Sequence, residues 1–432
     1  MTMREQFSEY YSPSDEEYLE YLSNGVVSLD TNVLLSPYRM DSQARGQLFS
    51  ILEFLAEQIW IPHQAAWEFF NNRPNVLAGE DKVYQKLEAP LIAAKKSLED
   101  HIKTLQGHSI VTTEKQQKIT RGLDDLIEEV KSLSNQRDSK LEEALRIDPV
   151  LNRWEYLLSG RIGERPDATR HAELNALAEE RIKSGLPPGG KDADKGVNAN
   201  GDAILWLQLI EHAQEAQRPV LLVTDDIKED WYRRQSGQTI GPRTELVREM
   251  RSTAEVAYYQ QPLSGFLRRA GKALSKPVSE ETIKQTKHHS ARAATMHYES
   301  IVVSEILSLH EQGLAPMVQR LDTDNGIDLI VTADSTTFAI VIKYQSHVAS
   351  AATVMRTINS LPPNLHALPI VISNVPLTAQ AAAIITEWRG HRRQKPQWIH
   401  WDPATMPSSE FHLSFLASLQ EARESRLNNK WT

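Results

Sequence analysis

Acidic residues recur in this sequence at positions where a folded chain would bring them to a crevice. Asp30 interrupts the apolar run VVSLDTNVLL and Asp225 follows the run VLLV. Both therefore lie at the carboxyl ends of predicted strands, where open parallel sheets bind ligands. Asp202 opens a predicted helix, and Glu68 lies on the helix that follows Pro62. Carboxylates that meet in this way repel one another unless a cation neutralises them, and oxygen ligands suit Mg²⁺ or Mn²⁺.

Each of these acids also has a simple structural explanation. Asp30 and Asp202 could each cap the N-terminus of a helix. Glu68 could be a solvated helix residue, and Asp225 with Asp226 could form a turn after a strand. Taken one at a time, these explanations are the more common ones. The metal site is inferred from the occurrence of all four acids in similar local contexts.

The elements predicted around these acids form an α/β unit. Apolar runs predict strands at Val26–Leu29, around Ile59–Ile61 and at Val220–Val223. Helical patterns between them predict that the strands are parallel. From about Asp81 to Leu158, apolar residues at three- and four-residue spacing predict amphipathic helices that brace the domain and shape a cleft. The Gly- and Pro-rich stretch from Arg181 to Asp202 predicts a loop.

Composition excludes several classes of protein. The chain has 432 residues, 40% hydrophobic and 24% charged, which is typical of folded domains. It has no cysteine, so disulfides, thiolate catalysis and cysteine-bound zinc are excluded. No apolar run approaches the ~20 residues that span a bilayer, and the N-terminus is unlike a signal peptide, so we expect a cytoplasmic protein without membrane contact. The net charge of −9 argues against a general nucleic-acid binder, although local charge matters more than the sum.

The blocks that carry these acids resemble the PIN-domain nucleases, and in particular the PIN-like domains with a large helical insertion. The blocks are LDTNVLL, IWIPHQAAWEFFNNR, NGDAILWLQLI, LLVTDDIKEDWY and PRTELVREM, within residues 15 to 270. The resemblance implies a parallel sheet flanked by helices. It also implies that Asp30, Glu68, Asp202 and Asp225 are metal ligands and catalytic residues. Asn32 matches a supporting polar position, and Asp226 could replace or support Asp225.

The chemistry expected of such a site is phosphodiester hydrolysis. A bound divalent metal activates a water and stabilises the leaving oxygen, so that no histidine base is required. The family implies products with a 5′ phosphate and a 3′ hydroxyl, and slightly favours RNA over DNA. Asp192 and Asp194 could add a further acid, but loops of their composition are commonly just solvated.

Basic residues after the acidic strand end could bind the phosphate backbone. They are Lys228, Arg233, Arg234 and Arg243. Solvated surface charge is the alternative for each of them. We favour Arg243, which matches the PR block of the family and would begin a helix facing the cleft.

The segment from Asn325 to Gln345 resembles the restriction-endonuclease-like fold with its PD-(D/E)xK motif, of the type found in Mrr-like enzymes. Asp328 and Lys343 match the acid and the lysine of that motif. Val341 stands where the family has Glu, Asp or Gln, which removes a metal ligand. The segment therefore predicts a smaller α/β domain that is degenerate and recognises nucleic acid or a partner. An ordinary α/β sheet is the alternative.

Together these patterns predict a PIN-like nuclease domain at 1–270 with a helical insertion at about 78–185, a linker at 271–297 and the accessory domain at 298–432. Because an unregulated nuclease would harm its own cell, we expect control by a protein partner, a ligand or homo-oligomerisation, and a role in antiphage defence or as a toxin. The alternatives are a noncatalytic nucleic-acid-binding or scaffold protein, and a DNA nuclease that acts through the C-terminal domain.

Overall fold

The computed structural model describes most of the chain. The described residues are 2–104, 121–132, 145–189, 200–226, 230–235, 238–313, 317–320, 327–333, 336–345, 347–361, 367–387, 395–403 and 406–428. They form two bodies of α/β structure, each with its own sheet and its own hydrophobic core.

The first sheet is parallel and consists of β1 (Val26–Leu29), β2 (Val220–Val223) and β5 (Tyr258–Gln261), in the order β1-β2-β5. Val26 pairs with Val220, and Val220 pairs with Tyr258. Every residue of β1 and β2 is buried, as expected for parallel strands covered by helices on both faces. The predicted strands at Val26–Leu29 and Val220–Val223 therefore have the bounds that the sequence indicated.

The prediction of a regular strand around Ile59–Ile61 is wrong. Ile59 makes one isolated parallel bridge to Val27, and Ile61 makes another to Ile162. The turn at Ala56–Gln58 and Pro62, which has no N–H to donate, leave too few residues for a continuous ladder. The segment still lies beside β1 and directs the chain into the next helix.

Helices surround this sheet. Their bounds are Met3–Gln6, Asp15–Ser23, Thr31–Leu35, Ser42–Phe54, His63–Thr104, 121–132, Pro149–Leu158, Ala168–Lys183, Gly201–Ala216, Thr244–Thr253 and Leu263–Ala273, with 3₁₀ turns at Ser8–Tyr10, Ser36–Tyr38 and Ala56–Gln58. Local sequence sets several of their starts. Ser14 and Glu17 form a capping box for Asp15–Ser23, and Asp148 caps the helix that begins with Pro149.

An antiparallel hairpin, β3 (Tyr232–Gln235) and β4 (Gln238–Pro242), follows the acidic segment after β2. The sequence indicated a helix starting near Pro242. That helix starts at Thr244 instead, because Pro242 pairs with Tyr232 in the hairpin.

The second sheet has the order β10-β9-β8-β7-β6. Its strands are β6 (Met317–Arg320), β7 (Leu329–Ala333), β8 (Thr336–Lys343), β9 (Leu368–Ser373) and β10 (Gln397–His400). Strands β8, β9 and β10 are parallel, and β6, β7 and β8 are antiparallel. The accompanying helices are Ala351–Asn359, Ala379–Thr386 and Ser408–Asn428. A mixed α/β body is therefore present where the sequence predicted one.

One helix, Glu280–Glu311, joins the two bodies, and we call it the connecting helix. Ile283 belongs to the core of the first body, whereas Val302 and Ile306 belong to the core of the second. The residues 271–297 that the sequence indicated as a linker are thus largely helical. Along the described part of the chain, no helix is both long enough and apolar enough to cross a membrane.

Candidate active site

Asp30 lies at the centre of a hydrogen-bond network at the carboxyl end of β1. Its carboxylate is buried and caps the short helix Thr31–Leu35 by accepting from Thr31 N at 2.6 Å. The other oxygen accepts from Asn32 Nδ2 at 2.5 Å and from Thr224 Oγ1 at 2.6 Å. Asp30 therefore caps a helix, which was the structural alternative to a metal ligand, and it also bonds to Thr224 directly after β2.

Other carboxylates crowd Asp30. The pKa of Asp30 is raised to about 8. Burial is the largest cause, the charges of Asp202, Asp226 and Glu68 add to it, and the bond from Thr224 opposes it. A buried, uncompensated carboxylate holds its proton more tightly because ionisation would cost both desolvation and repulsion. The structure thus brings four of the acids singled out in the sequence into one electrostatic neighbourhood.

Glu68 reaches this neighbourhood from the helix His63–Thr104. Its Oε2 accepts from Thr31 Oγ1 at 3.1 Å, and its Oε1 accepts from Gln64 Nε2 at 2.8 Å. A Cβ added to Gly201 would lie only 2.4 Å from Oε1. The carboxylate therefore packs against the backbone where the helix Gly201–Ala216 begins, next to Asp202.

Replacing Gly201 with alanine tests this close approach. Alanine usually stabilises a helix relative to glycine by up to about 1 kcal/mol. At Gly201 we expect a loss of stability instead, because the Glu68 carboxylate must move and would lose its bonds from Thr31 and Gln64. Gly46→Ala is the matched control, since a Cβ there meets nothing within 4 Å in the helix Ser42–Phe54. The midpoint temperature of thermal unfolding should rise for Gly46→Ala and fall for Gly201→Ala. Equal shifts in the two variants would contradict the contact between Glu68 and Gly201.

Asp225 and Asp226 point to different surroundings, although they are adjacent in sequence. Asp225 Oδ1 accepts from Leu263 N at 2.8 Å, and its Oδ2 accepts from Ser290 Oγ at 2.7 Å. Burial raises the pKa of Asp225, and no other acid is among the causes of that shift. Asp226 is the strand-end acid whose charge acts on Asp30. Its backbone N donates to Thr224 Oγ1 at 3.0 Å.

Three side chains that the sequence reasoning passed over hold this arrangement together. Thr224 bridges Asp30 and the backbone of Asp226. Thr31 joins the helix Thr31–Leu35 to Glu68. The hydroxyl of Tyr232 donates to Thr224 O at 2.9 Å. Thr31 and Thr224 each stand directly beside an acid in the blocks LDTN and VTDD. A small hydroxyl adjacent to a strand-end carboxylate was therefore the available signal.

The predicted phosphate-binding residues have mixed placements. Arg243 directly precedes the helix Thr244–Thr253 and donates to Glu245 Oε1 at 2.9 Å. Arg233 donates to Pro242 O and lies over the ring of Tyr10. Arg234 hydrogen-bonds to Tyr344 of the second body, whose pKa is raised by burial. Lys228 lies outside the described residues, as do Asp192 and Asp194.

Asp328 and Glu305 each make hydrogen bonds within the second body. Asp328 Oδ2 accepts from the backbone N of Ile342 at 2.6 Å, and Lys343 ends β8 opposite Ser373. Glu305 accepts from Ser408 Oγ at 2.8 Å and lies 2.7 Å from His412 Nε2. These bonds tie the sheet and its helices together.

The carboxylates beside Asp30 suit a hard divalent cation, since each of them makes ionisation of the others less favourable. Within the described ranges, no group of three or more acidic or imidazole side chains is arranged to hold a metal ion by itself. Mg²⁺ is usually bound by one or two carboxylates together with waters and substrate phosphates, so a closed protein cage is not required. Carboxylates such as those beside Asp30 are the ligand type that an open site of this kind uses.

Comparison with known proteins identifies the family of the first body. A family model described as a PIN like domain matches residues 26–246, from the start of β1 into the helix Thr244–Thr253. No curated protein and no solved structure matches the chain. The matched residues include every acid of the site beside Asp30 and make up a little over half of the 432 residues. The chain therefore belongs to the PIN-like domain family, which is in general a family of nucleases.

Proposed function

We propose that this protein is a metal-dependent nuclease that hydrolyses phosphodiester bonds at the site around Asp30. The observation that carries the proposal is the burial of Asp30 among the charges of Asp202, Asp226 and Glu68, which raises its pKa to about 8. A fold gains nothing in stability from such crowding, and groups with pKa values shifted this far concentrate at functional sites. Family membership supports a nuclease in general.

The cofactor we propose is Mg²⁺ or Mn²⁺, bound by Asp30 with Glu68, Asp202 or Asp226. When bound, the ion supplies an activated water and stabilises the leaving oxygen of the cleaved phosphodiester. Asp225 belonged to the ligand set expected from the sequence. We assign Asp226 in its place, because the charge of Asp226, and not that of Asp225, acts on Asp30, while the carboxylate of Asp225 bonds to Leu263 and Ser290.

The protein's own residues hold the reacting groups in place. Thr224 and Asn32 donate to one oxygen of Asp30 and Thr31 N donates to the other, so the orientation of the carboxylate is set before substrate arrives. Thr31 and Gln64 do the same for Glu68. Outer bonds of this kind orient the ligands of metal sites.

The substrate we propose is nucleic acid, with RNA favoured over DNA on family grounds. Arg243 and Lys228 are the proposed phosphate contacts. Arg234 is a further candidate, since this residue of β3 interacts with Tyr344 of the second body. We propose that the nuclease unit occupies 1–270, that 271–297 links it to the body at 298–432, and that a regulatory partner or self-association controls an effector of antiphage defence or a toxin.

The second body is proposed as a noncatalytic accessory domain of the restriction-endonuclease-like type. Two observations support this view. Val341 supplies no metal ligand, and the carboxylate of Asp328 accepts from the backbone of β8. A DNA nuclease centred on Lys343 is the competing assignment.

Cleavage assays with the full chain test these proposals. Labelled single- and double-stranded RNA and DNA would be incubated with Mg²⁺ or Mn²⁺, with EDTA, and with the variants Asp226→Asn and Lys343→Ala. We expect cleavage that EDTA and Asp226→Asn abolish and that Lys343→Ala leaves intact. The reverse pattern would assign catalysis to the second body. Binding without cleavage of any substrate would make the protein a noncatalytic binder.

A further inference from the structure

Asp225 is partly buried beside the candidate active site, but its carboxylate bonds to residues outside that site. Its carboxylate joins two helices that follow it in the chain, accepting from Leu263 N at 2.8 Å and from Ser290 Oγ at 2.7 Å. Leu263 begins the helix after β5, and Ser290 lies within the connecting helix. A carboxylate that accepts on both oxygens is held firmly, because bonds to a charged acceptor are among the stronger ones in proteins.

The backbone of Asp225 continues this path to the acids. Its N–H donates to Asn32 Oδ1 at 2.9 Å, and Asn32 Nδ2 donates to Asp30 Oδ2 at 2.5 Å. Asp226, the next residue, is fixed by its own bond to Thr224. A contiguous set of hydrogen bonds therefore runs from the Asp30 carboxylate to the connecting helix.

The connecting helix is embedded in both bodies, on either side of Ser290. Towards its start, Ile283 and Thr286 are buried, and Gln285 donates to Asp41 at 2.5 Å. Towards its end, the hydroxyl of Tyr298 donates to Trp401 O at 2.8 Å, and Val302 is fully buried. A helix anchored in two cores moves as a unit with them.

We propose that Asp225 is a positioning residue, and that Ser290 of the connecting helix acts through it to set the geometry of the acidic site. This inference rests on the proposed function for its catalytic consequence. In this view the connecting helix helps to hold the active site in place. A movement of the second body would shift Ser290 and Asp225, and these would in turn shift Asp226 and Asp30. The second body thereby controls the metal affinity of the first.

The central test compares Ser290→Ala with Ser290→Thr and Ser300→Ala in the full chain. Ser290→Ala removes the donor, and Ser290→Thr restores a hydroxyl at the same position. Ser300 is the matched control, because it is an exposed serine of the same helix. The Ser290 hydroxyl also lies 2.9 Å from Thr286 O, a bond within the helix that the threonine variant can keep.

Hydrogen–deuterium exchange gives a measure that is independent of metal and activity. We expect Ser290→Ala to speed exchange about 10-fold in peptides that contain Asp225 and Leu263, since a bond to a partly buried carboxylate is lost. Ser290→Thr and Ser300→Ala should exchange like the wild type. Unchanged exchange in Ser290→Ala would overturn the inference, whether or not the protein cleaves nucleic acid.

Titration with Mn²⁺, followed by electron paramagnetic resonance, measures the consequence for the site. We expect Ser290→Ala to weaken Mn²⁺ binding about 10-fold, as is typical when an outer bond to a metal site is removed. Asp226→Asn should weaken it more. If Ser290→Ala binds Mn²⁺ as the wild type does, Ser290 does not set the geometry of the site. If the wild type neither binds Mn²⁺ nor cleaves, the proposed function fails while the exchange measurement still decides the positioning link.

Discussion

Replacing Asp30 with asparagine is expected to abolish cleavage and, without divalent cations, to make the protein more stable. Loss of a ligand should exceed the 10- to 100-fold effect typical of outer partners, so we expect activity to fall more than about 100-fold. The gain in stability arises because asparagine carries no charge to bury among Asp202, Asp226 and Glu68. Opposite effects on activity and stability are the mark of a residue kept for function.

The same variant should change how stability depends on pH. The pKa of Asp30 is about 8 in the folded protein, against an ordinary value of 3.8. From about pH 4 to about pH 8 the folded carboxyl keeps a proton that the unfolded one has lost, so the folded state binds more protons and stability falls as pH rises. The slope contributed by one such group is at most about 1.4 kcal/mol per pH unit. Asp30→Asn should remove this contribution.

Urea unfolding in EDTA at several pH values measures both effects. The NH₂ group of asparagine at position 30 would face Asn32 Nδ2, which is also a donor, and this opposition costs stability. After that cost is subtracted, we expect the free energy of unfolding at pH 8 to rise by at least about 1 kcal/mol. Asp41→Asn is the matched control. Asp41 caps the exposed start of a helix, and its pKa is lowered by the bond from Ala44 N. An Asp30→Asn protein that is less stable than the wild type across this range would refute the crowding of charge at the site.

Replacing Asp148 with alanine is expected to cause the largest loss of stability. Its buried carboxylate accepts from Arg73 Nε at 2.7 Å and from the Tyr38 hydroxyl at 2.6 Å. The other oxygen caps the helix Pro149–Leu158 through Val150 N at 2.8 Å. Removing one partner of a buried ion pair leaves the other charge uncompensated, at a cost of about 3 to 5 kcal/mol. The loss of the helix cap adds about 1 kcal/mol.

The matched control for Asp148 is an ion pair at the surface. Glu53 pairs with Arg153 at 2.7 Å, and both side chains are more than one-third exposed. Glu53→Ala should cost less than about 1 kcal/mol, since water screens the pair. Urea unfolding of both variants makes the comparison. A cost for Asp148→Ala no larger than that for Glu53→Ala would show that Arg73 finds another partner.

Sequence alone located β1 and β2 of the first sheet and the acids that follow them, but could not choose between Asp225 and Asp226. The apolar runs of β1 and β2 are short, uniform and followed by acids, so their ends could be read from the sequence. The two candidate acids are adjacent, and what separates them is contact with Leu263 and with Ser290, 65 residues away. Nothing local encodes such partners. The contact between Glu68 and Gly201 was hidden for the same reason.

The connecting helix was missed because it does not bury a single continuous face. Ile283 packs into one core, and Val302, Ile306 and Leu309 pack into another. Between them lie polar and basic residues such as Lys287 and His288. A helix that packs into one core near its start and another near its end has no continuous apolar face. Prediction of helices from hydrophobic periodicity depends on such a face.

The order β1-β2-β5 also governs when this protein acquires its site during synthesis. Asp30 meets its partner Thr224 across 194 residues of intervening chain. At ribosomal rates of 5–20 residues per second, roughly 10 to 40 s separate the emergence of these two residues. A nascent chain that ends anywhere within that interval carries Asp30 without Asp226. The acidic cluster is therefore completed only after more than half of this polypeptide has been translated.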